Sequence, residues 1–183
     1  TEVILNYINF LSETIDDFRN FYKEDLEKIN FEVKKSIDKT INLLKTEFIK
    51  EDIAVIYLGE PNIFIHGIEN QFLQVTMNIL NNAKDALIEK EIKNRHIFID
   101  VYEENAKTYI EIQDNAGGVN DDIIEHVFEP YFTTKHKSLG TGIGLYMSEE
   151  IVTKQLNGKL SVYNKSINYK NVTSFGACFR IDI

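Results

Sequence analysis

Apolar residues recur at helical spacing from the first residues of the chain. Ile4, Ile8, Leu11, Ile15, Phe18 and Tyr22 are four, three, four, three and four positions apart, a heptad seam that breaks at Asp25 and resumes at Ile29. Leu5, Tyr7, Phe10 and Phe21 widen the stripe beyond what a two-stranded coil needs, which suits a helical bundle. The seam predicts a helix that dimerises through this face, with packing on its own domain as the alternative. The charge-rich segment 23–30 predicts a boundary, giving units 1–30 and 31–183.

A second helix is expected over residues 31–49, where Val33, Ile37, Ile41, Leu44 and Phe48 share a face. A strand over 53–58, a turn at Gly59-Glu-Pro-Asn62 and a short apolar run over 63–65 read as a hairpin or short strand pair. Residues 69–92 form a long amphipathic pattern. Alternation over 96–102 and 109–113 marks half-buried antiparallel strands joined by a loop over 103–107. A short helix over 121–127, an irregular stretch to Leu139, a helix over 142–156 and strands over 159–163 and 177–183 complete the chain. This order predicts an α+β fold: a two-layer α/β sandwich, helices covering one face of a mixed, mainly antiparallel sheet, preceded by an N-terminal α-helix.

Composition narrows the functions available. In 183 residues, 43% hydrophobic content supplies one ordinary core, and a net charge of −9 argues against nucleic acid as the main partner. An anionic ligand must therefore be held by local groups. Cys178, the single cysteine, has no intramolecular disulfide partner and falls in an apolar run, as a small buried residue would. Without an apolar run of membrane-span length or a signal-peptide pattern, the chain is expected to be cytoplasmic and to make no membrane contact. A start at Thr1 rather than Met suggests a segment of a longer protein.

Four stretches carry candidate chemistry. Asn78 and Asn82 lie four apart on one helix face, and Ala83 and Ala86 beside them leave room for a ligand. An amide oxygen is a hard, neutral ligand suited to a magnesium ion that arrives on phosphates. In Asp114-Asn-Ala-Gly-Gly-Val119 a carboxylate is followed by Gly117 and Gly118, which reads either as a plain turn or as a backbone passing close to a ligand. Gly140-Thr-Gly-Ile-Gly144 opens a helix, so its N–H groups make an anion site without net positive charge; the spacing fits neither a dinucleotide fingerprint nor a Walker loop. Between them, Phe128-Glu-Pro-Tyr-Phe-Thr-Thr-Lys135 offers aromatic anchors, while Thr133, Thr134, Lys135 and Lys137 can approach phosphate oxygens. Residues 128–144 read as a mobile lid hinged at its glycines.

Asn78-Ile-Leu-Asn-Asn-Ala-Lys-Asp-Ala86 and these last three motifs resemble, in order and spacing, the N, G1, F and G2 boxes of sensor histidine kinases. Gly176-Ala-Cys-Phe-Arg-Ile181 is similar to that family's closing strand, and the likeness covers roughly residues 31–183. It implies the Bergerat-type ATP-binding fold shared with gyrase-type ATPases, heat-shock chaperones and mismatch-repair ATPases. It makes Asn82 the magnesium ligand and Asp114 the acceptor for the adenine amino group, with Gly118 leaving space for the base beside Val119. Gly140, Thr141, Gly142, Gly144 and Leu145 wrap the phosphates, with Thr134 and Lys135 from the F box. Asp85 stands where many members carry a basic residue, which leaves Lys135 as the better cation.

Asn78 occupies the position of the glutamate that activates water in the ATPase relatives; an amide is no such base, so the γ-phosphate is kept for transfer. The resemblance thus implies ATP and Mg2+ as ligands and a protein-histidine kinase that passes phosphate to an upstream histidine and on to a response-regulator receiver. It also implies a homodimer when the full helical hairpin is present, and the cytoplasmic part of a membrane-anchored sensor as one possible setting. None of His66, His96, His126 and His136 carries the acidic-x-x-Pro pattern usual after the acceptor, and residues 14–22 resemble the end of the hairpin's second helix. The chain is therefore expected to bind Mg-ATP without labelling itself. A gyrase-like ATPase, a serine-directed kinase of the anti-sigma type and a nucleotide-gated interaction module are the alternatives.

Overall fold

The computed structural model describes residues 27–134 and 141–183. The heptad seam over 4–22 lies outside the described residues, as do Lys135, His136, Lys137 and Gly140, with part of the expected lid.

The described chain opens on a strand. β1 (Ile29–Glu32) pairs antiparallel with β3 (Phe64–Gly67), Phe31 opposite Ile65, in a two-stranded sheet of its own. Ile29, where the seam is expected to resume, belongs to β1, which has residues on both sides of the boundary expected at 30/31. The hairpin or short strand pair expected around residues 59–62 is corrected: β2 (Ile53–Tyr57) runs parallel to β4 (Arg95–Glu104), while β3 returns to β1. The turn moves the chain between sheets. Apolar content marks both short runs as strands, but their partners are remote in sequence.

The main sheet has the order β2-β4-β5-β7-β6, with β5 (Lys107–Asp114), β6 (Lys159–Tyr169) and β7 (Val172–Asp182). Every pairing except β2 with β4 is antiparallel. Helices α1 (Val33–Lys50), α2 (Glu69–Glu89) and α4 (Gly144–Gln155) cover one face, and a short α3 (Asp121–Ile124) lies between β5 and α4. The period of two along each strand divides the sheet's sides cleanly. Ile110 stands in register with Ile181 and Leu160, and these join Ile97, Ile99, Val101, Ile112 and Phe179 in the core under the helices. Phe72, Val75, Ile79, Leu80 and Leu87 supply the matching stripe of α2. Where α1 crosses α2, buried Thr40 and Thr76 replace apolar residues, their hydroxyls 2.9 Å apart, which satisfies each inside the helix layer.

The two hairpins are tighter and longer than their sequences suggest. β4 and β5 are joined by Asn105 and Ala106 alone, both at positive φ, instead of a loop over 103–107. β6 and β7 run on to Tyr169 and Val172 and turn at Lys170 and Asn171, so 164–169 and 172–176 are strand beyond the end of the alternating pattern. Among the described residues, no helix packs beneath that distal half. Its pairing is satisfied within the hairpin, and no apolar face is required. Tyr169 near its tip packs edge-on against Phe98, ring centroids 5.4 Å apart, on the sheet face opposite the helices.

That opposite face is organised around Glu111, which is 5% exposed. Its carboxylate accepts from Tyr163 Oη at 2.7 Å, Tyr102 Oη at 3.2 Å and Lys165 Nζ at 2.5 Å. Burial pushes the Glu111 carboxyl up, but the Lys165 ammonium and the two hydroxyls outweigh it and hold the group below the ordinary carboxylate range. Glu111→Ala strands the hydroxyls and an ammonium, and is expected to cost roughly 2 kcal/mol, less than a fully buried pair because Lys165 is half-exposed. A group with a lowered folded pKa stabilises above its unfolded pKa and loses that contribution as pH falls through the folded one. The gap between wild type and Glu111→Ala in urea denaturation should therefore be full at neutral pH and shrink in acid; equal midpoints at neutral pH would contradict the network's role.

Candidate functional site

A cavity of about 360 Å³ opens between α2, the end of β5 and the start of α4, within the range of roughly 300–1,000 Å³ usual for small-molecule sites. One face of α2 supplies Asn78, Asn81, Asn82, Asp85, Ala86 and Glu89, positions that recur every three or four residues opposite the buried stripe. Asp114, Gly118 and Val119 come from β5 and the loop after it, Phe132, Thr133 and Thr134 from the segment after α3, and Thr141, Gly142, Gly144 and Leu145 from the approach to α4. Ile123 and Val127, with Ala177 and Phe179 of β7, complete the lining. Every sequence-derived site residue among the described ones thus lines a single cavity; Lys135 and Gly140 lie outside the described residues.

Asp114 is the most constrained of these groups, at 3% exposure. Its Oδ1 accepts from the N–H of Ala116 at 2.8 Å and of Ala177 at 3.3 Å. Burial pushes the carboxyl up from the ordinary 3.8, against the pull of those two N–H groups and the Lys90 ammonium. The approach of β7 that supplies Ala177 depends on Gly176, where a Cβ would come within 1.9 Å of the Asp114 carbonyl oxygen. Only a residue without a side chain lets the two strands close on one another here.

Beyond Asp114 the loop is held from several elements. Gly117 N–H donates to Phe175 O at 2.9 Å, and Lys90 Nζ donates to Gly118 O at 2.6 Å. Gly118 sits at φ +80, and a Cβ there would come 2.4 Å from Asn164 Oδ1, so the space its missing side chain leaves inside the protein is taken by Asn164. Neither Asn164 nor Lys90 stands out in the sequence as a site residue. Both are single polar residues in polar runs, and only the fold brings them to the loop.

Asn78 is not a solvent-facing amide. Its Nδ2 donates to Gly144 O and Ser148 Oγ, each at 3.2 Å, while the fully buried Ser148 hydroxyl donates to Gly144 O at 2.9 Å. This triangle fastens α2 to the first turn of α4, whose leading N–H groups have no intrahelical acceptors. The approach is shaped by Gly142 at φ +65, where a Cβ would come 2.5 Å from the Tyr131 backbone. Of the expected aromatic anchors, Phe128 packs edge-on against Phe179 and Phe132 lines the cavity, but Tyr131 is 73% exposed. Lys84 is ion-paired with Glu47, in keeping with its position on another face of α2. Among the described residues no cluster of His, Cys, Asp and Glu could by itself hold a metal, and no helix is long and apolar enough to cross a membrane.

Residues 67–183 match the family of histidine kinase-, DNA gyrase B- and HSP90-like ATPases. The two-component sensor PprA of Pseudomonas aeruginosa is 29% identical over 148 residues, which cover 78% of this chain and 16% of that protein. The chain spans about a fifth of the length of the sensor proteins it matches. The catalytic domain of histidine kinase ThkA superposes with a TM-score of 0.70 at 23% identity, covering 86% of this chain and 95% of that one. ThkA in complex with the response regulator protein TrrA gives 0.72 at 22% identity, covering 99% of this chain and 49% of that one. At such identities the superpositions establish the fold.

The raised pKa of Asp114 makes its neutral form the stabilising one: the contribution is complete below the unfolded-state pKa and is lost as pH rises through the folded value. Asp114→Asn keeps an oxygen for both N–H donors and carries no charge. It is expected to withstand urea at least as well as the wild type at neutral pH, with its advantage fading in acid. Denaturation midpoints at the two pH values check the sign, and a large loss of stability at neutral pH would refute it.

Proposed function

The chain belongs to the family of histidine kinase-, DNA gyrase B- and HSP90-like ATPases, and from that premise we propose that it is the ATP-binding catalytic part of a sensor histidine kinase. The observation that carries this reading is the convergence on one cavity of a buried carboxylate, an asparagine face of α2 and the glycine-bearing start of α4. In this reading the outer oxygen of Asp114 accepts a hydrogen bond from the adenine amino group, beside Gly118 and Val119. The N–H groups opening α4, with Thr134 and Thr141, take the phosphates. A chain of net charge −9 holds an anion here through backbone dipoles, with Lys135 as the candidate cation.

The residues also fit a magnesium ion. Asn82 offers a neutral oxygen in a cavity shared with Asn78, Asn81 and Asp85, a donor set suited to an ion that keeps water and phosphate as its other ligands. Bound there, it would neutralise phosphate charge.

Asn78 separates kinase from hydrolase. Its amide nitrogen is committed to Gly144 and Ser148, and an amide is too weak a base to activate water, so slow hydrolysis preserves the γ-phosphate for another nucleophile. None of the three described histidines lines the cavity: His66 is bonded to Asn30, His96 stacks on Phe98 and His126 pairs with Glu129. The chain's histidines, His136 included, lack the acidic-x-x-Pro pattern of an acceptor, and in this reading the phosphate acceptor is an upstream histidine on a dimerisation hairpin, with onward relay to a receiver aspartate in the cytoplasm.

Incubation with γ-labelled ATP tests the proposal. The chain should bind Mg-ATP and stay unlabelled, while a chain extended upstream acquires an acid-labile label; a stable acid-labile label on the short chain would sink the assignment of the acceptor. Asp114→Asn should weaken ADP binding by about 1–3 kcal/mol, the cost of breaking a buried hydrogen-bonded pair. Calorimetry showing unchanged affinity would remove Asp114 from the adenine site.

A further inference from the structure

We propose that Asn164 is the positioning residue of the nucleotide site, setting the separation between Asp114 and Val119 and with it the recognition of the adenine amino group. The inference rests on the nucleotide-site reading above. Asn164 Oδ1 accepts from Val119 N–H at 2.8 Å, and its Nδ2 donates to Val119 O at 2.8 Å. One planar amide thus satisfies both backbone groups of Val119, as a neighbouring strand would. β5 ends at Asp114, so its own ladder does not reach Val119.

The same rung of the β6–β7 hairpin holds the other end of the loop. Asn164 stands opposite Ala177 in the hairpin register, and Ala177 N–H donates to Asp114 Oδ1 at 3.3 Å. One backbone pair therefore fixes both the carboxylate and the residue five positions further on, and both line the cavity. Gly118 between them has no Cβ, and one there would collide with Asn164 Oδ1. The amide and the glycine fit as a pair. A base bound between Asp114 and Val119 is then gripped at a spacing set by Asn164, and loss of the amide should blur recognition of the amino group more than it weakens phosphate binding.

The test is calorimetric titration of the whole chain with ADP and with its analogue lacking the 6-amino group. Wild type should prefer ADP, and Asn164→Ala should bind ADP about tenfold more weakly while binding the analogue almost as wild type does, so that the preference collapses. Asn164→Asp, which keeps the acceptor for Val119 N–H and loses the donor to Val119 O, should fall between them. An unchanged ratio of the two affinities in Asn164→Ala, or an equal loss for both ligands, overturns the inference while leaving the nucleotide site standing. Failure of the wild type to bind ADP overturns both. Should the variants not fold, amide exchange in nucleotide-free wild type decides: Val119 N–H is expected to be protected, and exchange at the rate of an open loop overturns the proposal.

Discussion

A carboxylate buried at the end of the central strand governs the geometry of this fold. Asp114 has left water, so its inner oxygen Oδ1 must be met by donors, and the donors within reach are the backbone N–H groups of Ala116 and Ala177. To bring Ala177 there, β7 must pass the end of β5 at a separation that only Gly176 permits. A strand that overruns its neighbour needs pairing on its other edge, which β6 provides as far as Tyr169. The long hairpin is thus tied to the carboxylate it holds, and Asn164 is carried to the loop by the same extension.

The second constraint is charge. In a chain with more acidic than basic residues overall, three asparagines, three threonines and the amino end of a helix line the cavity beside the carboxylates Asp85, Glu89 and Asp114. The neutral groups bind through fixed dipoles and need no counter-ion when the site is empty. They must be held in place, however, since a loose amide satisfies itself on the nearest carbonyl. Buried Ser148 does this for Asn78, and the bond from Asn78 to Gly144 O joins the two helices whose ends frame the cavity.

The sheet's two faces solve opposite problems. Under the helices, isoleucine, valine and phenylalanine stack in register and exclude water. On the other side Glu111, Tyr102, Tyr163, Lys165 and Arg180 form a hydrogen-bonded and charged layer, while Arg180 lies 4.1 Å over the Tyr109 ring. A polar layer of this kind tolerates partial wetting, so the face needs no second helical cover.

How much of this is legible in the order of amino acids depends on the kind of signal each feature leaves there. Helical and alternating periodicities report burial against a core, which is why α1, α2, α4 and the inner halves of the strands are readable as patterns. Four boxes of fixed spacing identify the residues that line one cavity, because a backbone that must cradle a ligand restricts residue type locally. Pairing is not legible: that β3 joins β1 instead of β2, and that β6 and β7 run on together past the core, depends on partners tens of residues away and on backbone bonds indifferent to side-chain identity. Tyr131 has the aromaticity of an anchor and is exposed, because Gly142 packs on its backbone and turns it at positive φ. By itself the amino-acid order determined fold class, the apolar stripes of the core and the box residues that line the cavity, since these rest on local pattern. What holds the lining in place, Asn164 on Val119, Lys90 on Gly118 and Ser148 on Asn78, was decided by tertiary structure alone, because a hydrogen bond between distant residues exists only once the chain has folded to bring them together.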